Sequence, residues 1–438
     1  MYLNFVWHFH QPIYRHPESG EYLLPWVNYH TTKNYWPMLR IIEEKEFPCT
    51  INLVPCLLEQ INDYAENKAI DRVLLALQKP DDQLTEDEIL KLKRFFPQGR
   101  SANSASELQQ SILASFYSPL DRPEEKSREE LLHLRKKIFA GIFDYFKQLK
   151  NKNLLELTIS PYYHPLLPLL IDLSQARNEA PELPDFQFPE DAVWHLTEGK
   201  EYFYRLFGFT PSGLWPSEGA LSQAACQQMA EAGFTLTFTD EHLLWKSLDH
   251  RPDPGLLYQP YECAGVNILF RDRELSDLIG FEYHRWPAAQ AVSDFLRKLE
   301  HRAEKVPDEA ICSIILDGEN PWGSYPNNGL DFLQLLFEQI KRSGRFQPVL
   351  PSEYFKTHKS QNNLNLLAGT WMSSFFKWVG HPDKVTLWKQ LSEHRQKYPF
   401  SRFLAVAEGS DWFWWAGETE EKEFALLFSS YLKKATRS

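Results

Sequence analysis

A chain of 438 residues, 43% hydrophobic and 24% charged with a net charge of −12, excludes a single small core and argues against nucleic acid, whose phosphates demand basic patches. Five cysteines without a CxxC pair exclude a disulfide scaffold and a zinc ribbon and fit free thiols. No apolar run approaches the roughly 20 residues of a membrane helix, and Met1 to His8 lacks a basic leader, so a cytoplasmic location is expected.

Residues 2–7 read as a buried strand that leaves through His8-Phe9-His10-Gln11-Pro12. His8 and His10 share parity, so both imidazoles face one way, either as site residues or as half of a metal site. Residues of about 56–150 predict a mostly helical insertion. Thr85 to Glu88 has the form of a capping box, and Leu131, Leu134, Ile138, Phe139, Ile142 and Phe146 recur at helical spacing. A second strand over Asn153 to Ile159 carries Glu156 and leaves through Tyr162-Tyr163-His164. Trp215 and Glu218 come together in Gly213–Ala220, followed by a helix from Leu221. Further strands are predicted over Phe234 to Asp240 and over Val266 to Phe270, the latter leaving into Arg271-Asp272-Arg273.

The next strand exit, residues 313–323, climbs from Ser-Ile-Ile-Leu to Asp317-Gly318-Glu319 and ends at Asn320-Pro321-Trp322-Gly323. Alternation puts Asp317 and Glu319 on one face, a costly pairing at the end of a buried strand unless the acids are used. A helix follows over 329–342. After about 356 the strand rhythm is lost, and Asp411 stands beside Trp412-Phe413-Trp414-Trp415 ahead of a last helix over about 420–435.

Strand, polar exit and helix repeat along the chain, which predicts an α/β fold with a parallel sheet. The organisation expected is a barrel over 1–355 that includes the insertion, with a helical domain over 356–438. Functional residues of such barrels collect at the C-terminal strand ends. Two carboxylates from different exits, set among Trp, Tyr and His, suit glycoside hydrolysis, with one acid protonating the leaving oxygen and the other attacking or activating water. The sequence holds no GxGxxG, P-loop, GxSxG or HExxH motif to support another chemistry.

Five stretches, in order, resemble the five sequence regions of glycoside hydrolase family 57. They are His10-Gln11-Pro12, Leu155-Glu156-Leu157 with Tyr162–Pro165, Gly213–Glu218, Asp317–Trp322 and Glu408–Trp415. The resemblance implies an incomplete (β/α)7 barrel with helical additions and a retaining mechanism on α-1,4-glucans. It gives Glu218 the position of the nucleophile and Asp317 that of the general acid/base. His8, His10, Glu156, Trp215, Glu319, Trp322, Asp411 and Trp414 fall where the family binds sugar, and His164 and Arg271 join them as strand-exit candidates. No cofactor or metal is implied. Hydrolysis of the α-amylase type is the leading expectation, with 4-α-glucanotransferase and branching activity as alternatives. A metal-dependent carbohydrate enzyme, built on His8 and His10 with Asp317 or Glu319, and a non-catalytic glucan-binding protein are more distant ones. The departures from the family pattern, Pro216-Ser217 and Asn320-Pro321, touch loops and leave both acids in place.

A retaining site calls for carboxyl groups about 5–5.5 Å apart. It also calls for a proton on Asp317, favoured by Glu319, and for a cation beside Glu218, with Arg271 or a histidine as candidates.

Overall fold

The computed structural model describes residues 1–319, 321–360, 362–418 and 422–437. Asn320 and the first residues of the last predicted helix, near 420, lie outside them. Six parallel strands form the centre: β1 (Tyr2–Phe9), β2 (Cys49–Leu53), β3 (Leu155–Ile159), β4 (Leu236–Asp240), β5 (Val266–Arg271) and β6 (Ile311–Asp317). Strand β1 runs between β6 and β2, and β3 lies beyond β2. β4 pairs β5, which meets β6 only at Arg271 and Ser313. Leu214 closes the ring by bridging Ile159 of β3 on one side and Thr237 of β4 on the other. Main-chain hydrogen bonds of Ser212, Gly213 and Trp215 to β3 support it, so the seventh wall position is a segment too short to be a strand, which gives the incomplete (β/α)7 barrel its form.

Covering helices explain the near-continuous apolar strands, since a parallel sheet is buried on both faces. Trp36–Lys45 (α1) lies between β1 and β2, Pro55–Ala65 (α2) and Arg128–Asn151 (α3) between β2 and β3, and Pro189–Phe207 (α4) between β3 and Leu214. Gln223–Glu231 (α5) precedes β4, Ala288–Ala303 (α6) precedes β6, and Leu330–Ser343 (α7) follows it. A short antiparallel strand, Tyr261–Cys263, folds back on β5, a turn the sequence reading lacks.

The segment between α2 and α3 is helical and packs around its own apolar cluster, which includes Leu77, Leu92, Leu108, Ile112, Phe116 and Leu131. The Thr85–Glu88 capping box forms at its helix 86–95. Towards the C-terminus come Pro382–Lys397 (α8), Ser410–Trp415 (α9) and Lys422–Ala435 (α10). Among the described residues no helix is long and apolar enough to cross a membrane.

Candidate active site

The register of the central strands sets the floor of the site. His8 is level with Asn52 of β2 and with Asp317 of β6. These side chains therefore leave the sheet in one layer, at its C-terminal end. Above them lies a cavity of about 480 Å³, within the range of about 300–1,000 Å³ usual for small-molecule sites. His8, His10, His164, Glu218, Arg271, Asp317, Glu319, Asp411 and Trp414 all line it. Nine of the twelve sequence candidates are thus gathered from six parts of the chain.

Three are not, and the reason differs for each. Glu156 lies one layer lower in β3, level with Thr50. Its Oε2 accepts the Ser352 N–H at 2.8 Å, at the start of the helix Pro351–Thr357, so it satisfies a helix N-terminus at the far end of the barrel. Trp322 packs on Trp7 with ring centroids 5.7 Å apart and donates its indole N–H to the Gly318 carbonyl at 2.8 Å. Trp215 is fully buried beneath the site, edge-on to Trp371. Among the described residues none of the three lines the cavity.

The acids sit on unusual backbone. Glu218 has φ 59° and ψ 23°, and His164 has φ 60°. Both are left-handed conformations that cost a non-glycine residue about 1–3 kcal/mol and persist where surrounding structure fixes them. Trp371 helps to fix Glu218 by donating its main-chain N–H to the Glu218 carbonyl at 3.0 Å. At Gly318 the reason for glycine is space, because a Cβ would lie 2.2 Å from the Phe9 ring. Burial, and then the charges of Asp411 and Asp317, push Glu218 up to about 8. Burial and the Asp317 charge hold Glu319 well above its usual range, while Gln11 donates to its Oε1 at 3.2 Å.

The expected cation beside Glu218 is not there. Arg271 is engaged by Asp240 at 3.1 Å and Asp277 at 2.5 Å. His164 Nδ1 is 4.0 Å from Glu218 Oε1, but burial and the nearby His10 and His8 hold its ring neutral. His8, hydrogen-bonded to Asn52 at 2.7 Å, is lowered to about 3 by burial and by His10. The three rings form a stack, with His10 and His164 centroids only 3.9 Å apart.

Among the described residues, the metal set of the rival reading, His8 and His10 with Asp317 or Glu319, does not gather. Among the described residues the donors that do gather are His10, His164 and Asp411, within 4.8 Å of one another. One nitrogen of each ring is engaged: His10 Nε2 bonds Asp411 at 2.9 Å, and His164 Nδ1 bonds the Ser410 hydroxyl at 3.0 Å.

The region after the barrel completes the site. Glu408 accepts from or donates to His195 of α4 at 2.9 Å, anchoring the segment that carries Ser410 and Asp411. Sequence reasoning did not single out Ser410, Trp371, Arg273, Asp277, Phe281, Met372 or Trp415, all of which line the cavity or touch its acids. Phe281 lies in the helical turn 278–282 and Met372 in a turn after the barrel strands, and neither stretch carries a recognisable motif. Ser410 was in view, between Gly409 and Asp411, but nothing in its type marks it as functional.

Paired acids, imidazoles and indoles gathered at the C-terminal mouth of a parallel α/β barrel define a site of the barrel glycosidase class. Residues 4–366 match the model of glycosyl hydrolase family 57, and the chain belongs to that family. No curated protein matches it by sequence. Its fold is similar to the branching enzyme of Thermococcus kodakaraensis, solved with glucose (17% identity, TM-score 0.69, 100% of this chain and 89% of that one). It is also similar to the family 57-type branching enzyme of Pyrococcus horikoshii (18%, 0.66, 99% and 87%). The α-amylase AmyC of Thermotoga maritima is a third neighbour (18%, 0.66, 100% and 92%).

Proposed function

We propose that the protein is a retaining α-glycosidase that cleaves α-1,4-glucans through a covalent glycosyl-enzyme. The observation that carries this reading is the meeting of Glu218 and Asp317, from separate strand exits, in one cavity where the charge of Asp317 acts on Glu218. In the first step a carboxylate oxygen of Glu218 bonds to the anomeric carbon as the glycosidic bond breaks, and Asp317 gives its proton to the leaving oxygen. In the second step Asp317 takes a proton from water, which attacks the same carbon and releases Glu218. His10, Asp411 and Glu319 are placed to bind hydroxyls, and the Trp414 face to stack on a sugar. Four buried polar atoms of cavity residues, His10 Nδ1, His164 Nε2, Glu319 Oε2 and Trp371 Nε1, have no hydrogen-bond partner among the described residues. That supports a hydroxyl-rich ligand.

Hydrolysis of the α-amylase type is our first choice. Transfer to a second glucan, as a 4-α-glucanotransferase or branching enzyme, is the competing reading. It is favoured by the exposed apolar rim of Phe281, Met372 and Trp415, which would shield the glycosyl-enzyme from water. Product analysis on maltoheptaose and amylose separates them. Short sugars mean hydrolysis, a ladder of longer ones means transfer, and new α-1,6 linkages mean branching. Glu218→Gln and Asp317→Asn should each lower turnover at least about a thousandfold while the chain stays folded. Turnover near wild type in either variant would sink the assignment.

A further inference from the structure

Ser410 has no role in the chemistry just described, yet it is fully buried at the centre of the site. It opens α9, and Gly409 before it brings the main chain unusually close to β3's exit. A Cβ at 409 would lie 2.7 Å from the Tyr163 carbonyl oxygen. The approach lets the Ser410 N–H donate to the His164 carbonyl at 2.9 Å. The hydroxyl is thereby set between two side chains, 3.2 Å from Glu218 Oε1 and 3.0 Å from His164 Nδ1.

A serine hydroxyl has one proton to give and two lone pairs to receive. With Glu218 ionised, the hydroxyl donates to the carboxylate, and a proton on His164 Nδ1 donates to Oγ. With Glu218 protonated, the chain runs the other way: the carboxyl O–H donates to Oγ, and the hydroxyl donates to a bare Nδ1. The change is one of tautomer at His164, and the proton lost from Glu218 leaves to solvent. Two carboxylates face Glu218, Asp411 from α9 and Asp317 from β6, and both oppose its charge. The imidazoles of His8 on β1 and of His10 just beyond it line the same cavity, with His164 neutral beside them and Arg271 of β5 engaged elsewhere. The Trp371 indole N–H favours the carboxylate but lies outside hydrogen-bond geometry.

We infer that Ser410 is a positioning residue for the nucleophile. Its hydroxyl, oriented by His164, selects the ionised Glu218 and holds Oε1, which leaves Oε2 as the attacking oxygen. This rests on the glycosidase reading for its catalytic meaning, but the hydrogen bond itself is testable without turnover. Carbon-13 NMR of protein labelled at glutamate Cδ, with Glu218→Gln to assign the signal, follows the Glu218 titration directly. Ser410→Ala should move that titration upward by about one pH unit, the value of a hydrogen bond to a charged group. The acid limb of kcat/KM on maltoheptaose should move with it, kcat at pH 7 should fall about tenfold, and KM should hold within about twofold. Ser410→Thr, which keeps the donor, should restore both. Ser410→Cys, nearly isosteric and a weak donor, repeats the titration should alanine disturb packing.

An unmoved Glu218 titration in the alanine and cysteine variants, or an equal shift in Ser410→Thr, overturns the inference. A shifted titration in a wild-type protein that cleaves no glucan would instead overturn the glycosidase reading and leave the hydrogen-bond assignment standing.

Discussion

Glu218 is held in a state that the fold alone would not choose. Its left-handed backbone and its burial among two other carboxylates both work against stability, and no cation among the described residues offsets them. The pH dependence has a definite sign. Unfolded, the side chain ionises near the ordinary glutamate value; folded, near 8. The folded protein therefore keeps this proton while the unfolded chain loses it. Stability from this group is complete below the lower value and falls as pH rises to the higher one. Glu218→Gln should stabilise the fold by on the order of 2 kcal/mol at pH 9 and by far less at pH 5. Melting temperatures across that range check it; equal gains at both ends would contradict the sign. The residue's identity was legible in its Trp-Pro-Ser-Glu setting. Its environment was not, because the neighbours that raise its pKa come from 99 and 193 residues further along the chain, at Asp317 and Asp411.

The strand exits show what an element fixes and what it leaves open. Asp317 and Glu319 both line the cavity, although β6 ends at Asp317 and Glu319 lies in the bend beyond it, past the reach of strand alternation. Depth is not local. Glu156 has the right parity in the right strand but sits a layer down, and only the register with β2 reveals it. Trp322 comes soon after the acids in sequence, yet its ring packs onto Trp7 and against Gly329, where a Cβ would lie 2.4 Å from it. Trp414 is the opposite case, partly exposed, with the Lys377 ammonium 4.4 Å from its ring centroid. The two tryptophans should therefore respond differently. Trp322→Ala should cost about 3–5 kcal/mol of stability. Trp414→Ala should leave the melting temperature nearly unchanged and raise KM for maltoheptaose roughly tenfold, equivalent to about 1.4 kcal/mol of lost stacking. Denaturant unfolding and steady-state kinetics on both variants decide between core and subsite.

At the scale of the whole molecule the rhythm of strand, exit and helix was enough to expect a barrel. The closure was not legible, because a segment too short to be a strand completes the wall around Leu214 and leaves no strand-length apolar run to read. The contribution of the 408–415 segment was visible only as a cluster of aromatics, and its docking depends on Glu408 meeting His195 across more than 200 residues of chain. The wall itself is uneven. β6, β1, β2 and β3 are joined by continuous ladders, and so are β4 and β5. The two panels share no continuous ladder: β5 and β6 join at Arg271–Ser313 with hydrogen bonds from Asp272 and Arg271, and residues 212–215 join β3 to β4 on the other side. Two seams in a ring make a hinge pair, and the nucleophile lies on the chain just after one of them. Hydrogen exchange should then report two classes of amide. Those of β1 and β6 should exchange only on global unfolding, whereas those of β4, β5 and residues 213–219 should open earlier and together. A uniform protection pattern around the ring would show that the seams carry no such freedom. If they do, the barrel wall is a jaw as well as a scaffold, and long glucan chains gain a way in that a fully laddered ring would deny them.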